Sequence, residues 1–347
     1  MADLSLSSVE KHFGGTPALR SITTRITDGE FVALLGPSGC GKSTLLRLLA
    51  GFETPTRGAI SIGAQEVANA ATGQSVPPEA RNIGFVFQSY ALWPHMTVWR
   101  NVSYPLEVRG LSKQARAEQT ARALEATGLT GFEARMPSDL SGGQRQRVAL
   151  ARCLVSDPQA VLLDEPLANL DVALRAAMQE VFLDFHARTQ ATMIYVTHDQ
   201  AEAMAMADRI AVMDQGQIAQ FDTPQALYAR PRSRFVAGFV GEGTVLPLDG
   251  VRQDKDGLVA QLNGASFAVA ADTAQPDHIC LRPENIVLAE TGDLRCVVQR
   301  CTYLGGRYRL TLLGPHGEQL VAESRSAFKT GAQLGVSLRM PWAFKET

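Results

Sequence analysis

The run Gly36-Pro37-Ser38-Gly39-Cys40-Gly41-Lys42-Ser43-Thr44 has the spacing G-x-x-x-x-G-K-[ST]. It follows an apolar stretch suited to a buried strand and opens a helix expected over 43–50, the context in which this spacing carries chemistry. Glycines let the backbone curl until several N–H groups face one phosphate, and a helix N-terminus adds partial positive charge there. Lys42 is placed to neutralise the β- and γ-phosphates of a nucleotide, and the Ser43 hydroxyl to ligate Mg²⁺. The cradle alone does not say which nucleotide-dependent reaction is run.

A second chemical pair stands at Asp164 and Glu165, where the apolar run Val161-Leu162-Leu163 ends. An acidic residue leaving a buried strand can hold Mg²⁺ through water, the role expected of Asp164. Glu165 is placed to accept a proton from an attacking water. Upstream, Leu140-Ser141-Gly142-Gly143-Gln144 precedes helical periodicity over 145–154. Ser-Gly-Gly at a helix start is another anion-seeking nest, with a hydroxyl and free N–H groups. Two phosphate-seeking helix ends make physical sense if each nucleotide is gripped from two sides.

The elements that must hold these groups alternate. Apolar runs at 31–35, 83–87, 161–163 and 193–196 are compact enough for buried strands. Between them, 113–127 and 174–188 space apolar residues as helices do. This alternation predicts an α/β fold with a mostly parallel core sheet. Beyond Arg230-Pro231-Arg232-Ser233 the texture changes to short alternating segments (258–262, 266–270, 308–313, 320–323) separated by Gly, Pro, Asp and Asn. That predicts a small β-barrel or sandwich. The boundary is expected within 235–242, giving units 1–238 and 239–347, with a helical subdomain at about 89–158 in the first.

The chain has 347 residues, 45% hydrophobic and 20% charged, with a formal charge of −2. It can build full cores, and nothing global points to nucleic acid or an acidic membrane surface as partner. No run of about 18 apolar residues occurs, so membrane crossing by this chain itself is not expected. The N-terminal residues lack the pattern of a secretory signal. Five scattered cysteines, Cys40, Cys153, Cys280, Cys296 and Cys301, read as reduced thiols.

GPSGCGKST, LSGGQ and LLDEP, in this order, resemble the marks of the ABC ATPases over essentially the whole first unit. The resemblance implies an α/β P-loop NTPase domain that binds ATP with Mg²⁺ and hydrolyses it. Gln88 matches that family's Q-loop glutamine, a Mg²⁺ and water ligand that also senses membrane subunits. Leu167-Ala168-Asn169-Leu170-Asp171 matches the D-loop, with Ala168 where serine is frequent. His198 matches the switch histidine at the γ-phosphate. Phe13 resembles the aromatic residue stacked on adenine, although a plain core position is the alternative.

In such ATPases two nucleotide domains face each other head to tail. The resemblance therefore implies a homodimer in which the P-loop of one copy and Ser141, Gly142, Gly143 and Gln144 of the other enclose each ATP. Glu165 would be the general base, and His198 would position the reacting groups. The stretch Ser89-Tyr90-Ala91-Leu92-Trp93-Pro94-His95-Met96-Thr97-Val98-Trp99 reads as a whole as an exposed docking surface, with a small buried cluster the alternative for any one of its side chains. In ABC importers this region receives a helix from the membrane subunit.

The β-rich end is similar to the TOBE domains of the maltose, polyamine, iron(III) and phosphonate importer ATPases. Leu281-Arg282-Pro283-Glu284-Asn285 and Tyr303-Leu304-Gly305 carry that likeness. It implies an all-β, OB-like regulatory and dimerisation unit. Balanced charge and few aromatics argue against single-stranded nucleic acid as its ligand. The whole resemblance implies an importer motor on the cytoplasmic face of the inner membrane. Its partners would be two integral membrane permease subunits and, indirectly, a solute-binding protein. The solute is expected to be iron(III), a polyamine, a phosphonate or a similar small molecule, from the texture of 91–106 and 239–248. Soluble ABC ATPases of ribosomes or DNA, and P-loop kinases or GTPases, are the competing classes.

Overall fold

The computed structural model describes residues 2–168, 170–255 and 257–346 and divides into two units, Met1–Pro224 and Gln225–Thr347. This division lies upstream of the 238/239 boundary expected from texture. The helices that follow Asp222 belong with the β-rich unit, because their partners are there.

The first unit begins with β1 (Leu4–Phe13), β2 (Thr16–Ile26), β3 (Phe31–Leu35), α1 (Lys42–Ala50), β4 (Arg57–Ile62), β5 (Gln65–Asn69) and β6 (Gln74–Ser75). Next come β7 (Ile83–Val86) and three helices, α2 (Val98–Val108), α3 (Lys113–Ala126) and α4 (Gly142–Leu154). It continues through β8 (Ala160–Asp164), α5 (Val172–Thr189), β9 (Thr192–Thr197), α6 (Gln200–Met206), β10 (Arg209–Asp214) and β11 (Gln217–Asp222).

The core sheet has the order β11-β10-β3-β9-β8-β7, parallel throughout except for the antiparallel edge strand β11. Every residue of β3 and β9 is buried. Strands covered on both faces need such unbroken apolar runs. A second sheet, β2-β1-β4-β5-β6, is antiparallel and was not anticipated from the sequence. Register shifts between Leu6 and Val9 and again beyond Val9 break the alternation that would have announced β1.

Helices α2, α3 and α4 share a small core of their own, with Val98, Val102, Leu106, Leu124 and Val148 buried together. The segment 89–99 is mixed rather than uniformly exposed, since Tyr90 and Val98 are buried while Pro94 and His95 face outward. The fourth helix starts at Gly142, three residues ahead of the periodic stretch read from sequence, because Ser141 caps it. At the C-terminus of α1, the buried Arg81 donates to the carbonyls of Leu48 and Leu49 at 2.7 and 3.0 Å and from Nε to Val76 O at 2.7 Å. The guanidinium gives Leu49 O a donor, adds a second to Leu48 O beside Gly51 N, and complements the helix dipole.

The second unit follows the start of α7 (Pro224–Ala229) and contains α8 (Arg234–Phe239), β12 (Thr244–Pro247), β13 (Gly250–Asp254), β14 (Gly257–Leu262) and β15 (Ala265–Ala271). Then come β16 (His278–Leu281), β17 (Ile286–Ala289), β18 (Leu294–Tyr303), β19 (Tyr308–Leu313), β20 (Gln319–Ser324), β21 (Gln333–Leu338) and β22 (Trp342–Phe344). Its sheets run β12-β16-β22-β15-β14-β13 and β17-β21-β18-β19-β20. Alternation fills one shared core, for instance with Leu310 and Leu312 from β19 and Leu320 and Ala322 from β20. Arg282 is 4% exposed and ties both helices to this unit, donating to Tyr228 O at 2.8 Å, Ala237 O at 3.0 Å and Val240 O at 2.6 Å.

Candidate functional site

The loop 36–41 leaves the buried end of β3 and turns into α1. Gly36 could not carry a side chain, since a Cβ there would lie 2.4 Å from Met213 O on the neighbouring strand. Gly41, with φ at 105°, takes a backbone conformation that L side chains rarely adopt, and it caps α1. Pro37, Ser38 and Gly39 are exposed, while Cys40 packs inward. Lys42 is 6% exposed and donates from Nζ to Gly36 O at 2.7 Å and Pro37 O at 2.9 Å. Its ammonium is thus held over the loop, with Thr44 following in the first turn of α1. An anion entering the loop would meet that ammonium and the free N–H groups of the helix end together.

The Ser43 hydroxyl donates to Asp164 Oδ1 at 3.1 Å, joining the start of α1 to the end of β8. Burial raises the Asp164 carboxyl above its ordinary range, the Ser43 hydrogen bond opposes this, and the Glu165 charge adds to the rise. A hydroxyl beside a carboxylate is a hard oxygen set suited to Mg²⁺ accompanying a nucleotide. Among the described residues no group of three or more His, Cys, Asp or Glu converges as a metal centre of its own. Gln88, the remaining metal candidate, stands exposed just past the end of β7.

Glu165 follows directly, with φ at 44° in the left-handed region, where a non-glycine residue is strained. Its N–H donates to Val196 O at 3.1 Å, so the neighbouring strand enforces the turn. The side chain faces His198, with Oε1 3.4 Å from Nδ1. The two candidate catalytic residues therefore meet, from β8 and from the loop after β9.

The remaining predicted residues are displayed singly. Phe13 ends β1 at 47% exposure, with Lys11 Nζ 4.8 Å from its ring centroid, so one ring face is occupied by a cation. Ser141 is exposed and forms a capping box with Gln144: Ser141 Oγ accepts from Gln144 N at 3.3 Å, and Gln144 Oε1 accepts from Ser141 N at 2.9 Å. Gly142 and Gly143 form the first turn of α4, and Gly143 lies so close to α5 that a Cβ would come within 2.8 Å of Leu174 Cδ1. Asp171 is exposed and caps α5 through Leu174 N at 3.0 Å. Asn169 lies outside the described residues.

Sequence reasoning missed the polar cluster behind His198. Arg175 on α5 bonds Asp199 at 3.1 Å, while Tyr195 and Thr197 both donate to the buried Glu202. Only the Asp199 capping position left a sequence trace, three residues ahead of Glu202 at the start of α6.

Strand, phosphate loop and helix, with an acidic pair beside them, define a P-loop nucleotide hydrolase. The profile of the ABC transporter family matches residues 19–168, and that of the TOBE domain matches residues 279–344. The Fe(3+) ions import ATP-binding protein FbpC of Brucella abortus (strain 2308) is 40% identical over 340 residues, 97% of this chain and 95% of that one. The spermidine/putrescine import ATP-binding protein PotA of Pseudomonas aeruginosa (strain UCBPP-PA14) is 46% identical over 298 residues, 83% of this chain and 79% of that one. The trehalose/maltose import ATP-binding protein MalK of Thermococcus litoralis is 48% identical over 259 residues, 75% of this chain and 69% of that one.

Among solved structures, cbiO1 of Clostridium perfringens, part of the ABC transporter complex cbiONQ, superposes with a TM-score of 0.60 at 29% identity, covering 65% of this chain and 90% of that one. A post-hydrolysis dimer of the ATP-binding cassette MJ0796 with ADP and Pi gives 0.54 at 30% identity, covering 64% of this chain and 98% of that one. The chain belongs to the importer-type ABC transporter ATPases that carry a C-terminal TOBE domain. It is an ABC-type ATPase with an α/β nucleotide-binding unit and an all-β, OB-like end.

Proposed function

We propose that this chain converts ATP binding and hydrolysis into solute uptake through separate membrane permease subunits, working as a homodimer at the cytoplasmic face of the membrane. The observation that carries the reading is the pairing of Ser43 with Asp164 at the mouth of a loop that already holds the Lys42 ammonium. Lys42 and the loop amides would grip the phosphates, with Ser43, Asp164 and Gln88 holding Mg²⁺, whose charge would offset that developing on the transferred phosphoryl group. Phe13 would stack on adenine through its free face. Glu165 would take the proton of the attacking water, and His198, 3.4 Å from it, would orient the reacting groups.

Ser141, Gly142, Gly143 and Gln144 of the second copy would complete each site, with Asp171 near the contact between copies. The exposure of Ser141 in a single chain, with Gly142 and Gln144 half-buried and Gly143 packed on α5, supports this division of labour, since a capped helix end of this kind has no phosphate of its own to meet. A groove of about 530 Å³, lined by Phe85, Phe87, Trp93, Tyr104, Val108 and Arg152, supports docking of a permease helix. Phe52, Phe87, Tyr104 and Val108 are all exposed beside or within it, a concentration of apolar surface typical of protein interfaces. The relatives import Fe(3+), spermidine/putrescine and trehalose/maltose according to their names. The chain's own solute is placed in the group of iron(III), polyamines, phosphonates and similar small molecules, delivered by a solute-binding protein that does not touch this chain.

Affinity purification of the tagged chain from host membranes in mild detergent tests the proposal. Two integral membrane subunits should co-purify, and their encoded solute-binding partner names the solute class. Recovery with ribosomes, nucleic acid or no partner, with ATPase activity intact, would contradict it.

A further inference from the structure

Glu202, in the first turn of α6, is 4% exposed. A carboxylate buried this deeply needs partners, and two elements, β9 and α5, supply them. Its Oε2 accepts from Tyr195 Oη at 2.6 Å and from Thr197 Oγ1 at 2.7 Å, while Arg175 Nε lies 3.6 Å from Oε1. Arg175 Nη1 also donates to Asp199 Oδ2 at 3.1 Å. Asp199 closes the ring, its amide donating to Thr197 Oγ1 at 3.0 Å and its Oδ1 accepting from Ala201 N and Glu202 N at 2.8 and 3.2 Å.

His198 sits between two anchored neighbours, Thr197 and Asp199. Its own side chain is 59% exposed and turned to Glu165. The backbone that carries the ring is therefore pinned from behind while the ring stays open in front. Packing alone does not call for this arrangement, because a buried ion pair is often no more stabilising than apolar residues of the same volume. Arg175 has a second attachment. It lies one helical turn past Asp171, the cap of α5, and its Nη2 donates to Leu170 O at 3.4 Å. A small cavity of about 20 Å³, lined by Glu165, Ala168, Arg175, His198 and Glu202, joins the network to the catalytic pair.

We propose that Arg175 and Glu202 are positioning residues for ATP hydrolysis: they fix the backbone at His198 and tie it to the 167–171 segment, so that a contact made by that segment with a second copy sets the histidine. The proposal rests on the role of His198 given above. Its test uses the full-length chain with Arg175→Gln, Arg175→Lys, Glu202→Gln, His198→Ala and the double variant His198→Ala/Arg175→Gln, with steady-state ATPase kinetics read alongside thermal melting. In folded Arg175→Gln, kcat should fall about ten- to a hundredfold, the scale on which misplacement of a reacting group acts. KM for ATP should stay within about twofold, since ground-state binding is untouched.

Arg175→Lys should recover part of the rate, as a shorter cation on the same two carboxylates. In the His198→Ala background Arg175→Gln should add no further loss, the signature of residues acting as a unit. If Glu202→Gln fails to fold, Arg175→Gln, a more exposed position, still decides. A wild-type kcat in folded Arg175→Gln, or losses that multiply in the double variant, would overturn the coupling while leaving His198 its role. A wild-type rate in His198→Ala would remove that role and the proposal with it.

Discussion

Lys42 donates to two carbonyls of its own loop, and Ser43 to Asp164, so the chain's own groups hold the cation and the hydroxyl of the candidate phosphate site in place. Asp164 is the strained member. Burial raises its carboxyl from an ordinary value of 3.8, so ionised Asp164 is less favourable in the folded chain than in the unfolded one. The sign follows: this destabilisation is absent below the unfolded pKa and complete above the folded one. In nucleotide-free protein, Asp164→Asn should therefore raise the melting temperature at pH 7, with the gain shrinking as pH falls toward 4. Calorimetry across that range checks it, and a gain that grew at acid pH would contradict it. The same variant should lose ATPase activity. Asp164 and Lys42 were legible because spacing and strand context are local properties. Arg175 and Glu202 were not, since their partners lie on β9, the loop after it and the helix caps, which only folding brings together.

Elements are placed in this chain by buried arginines that terminate helices. Arg81 is 1% exposed, and burial lowers the pKa of its guanidinium from the usual value. Its bonds to Leu48 O and Leu49 O fix the far end of the helix that begins at the phosphate loop. Replacing it by Met keeps the volume and removes the donor to Leu49 O and Val76 O, while Leu48 O keeps Gly51 N at 3.2 Å, so the cost is roughly 1–3 kcal/mol for each group left unsatisfied. Arg81→Met should lower the melting temperature of the first unit by several degrees, on the scale of about 2–4 °C per kcal/mol. An unchanged melt would show that water serves those carbonyls as well. Arg282 does the same in the second unit, and Arg282→Met should loosen α7 and α8, read by faster amide exchange over 224–240. Sequence periodicity located helices and strands here to within a few residues. The antiparallel sheet built on β1 escaped it because the bulges near Val9 and the exposed end at Phe13 interrupt alternation.

For the whole molecule the relevant fact is that the residues expected to act on ATP fall into two sets. Lys42, Ser43, Asp164, Glu165 and His198 are gathered at the ends of β3, β8 and β9. Ser141 and Gln144 cap an outward-facing helix whose own box is already closed. If each half takes the other from a second copy, as proposed above, catalysis should depend on protein concentration. The texture of the chain announced two units, an α/β one and a β-rich one. Texture places their division within 235–242, whereas Arg282, distant in sequence, bonds the helices 224–229 and 234–239 to the second unit.

The most direct test of the account is Glu165→Gln with MgATP, measured together by analytical ultracentrifugation, bound-nucleotide assay and phosphate release. The account predicts a stable dimer retaining two intact ATP molecules, with hydrolysis reduced by roughly a hundredfold or more, in the range for loss of a general base. A monomer under the same conditions, or phosphate release at the wild-type rate, would contradict it.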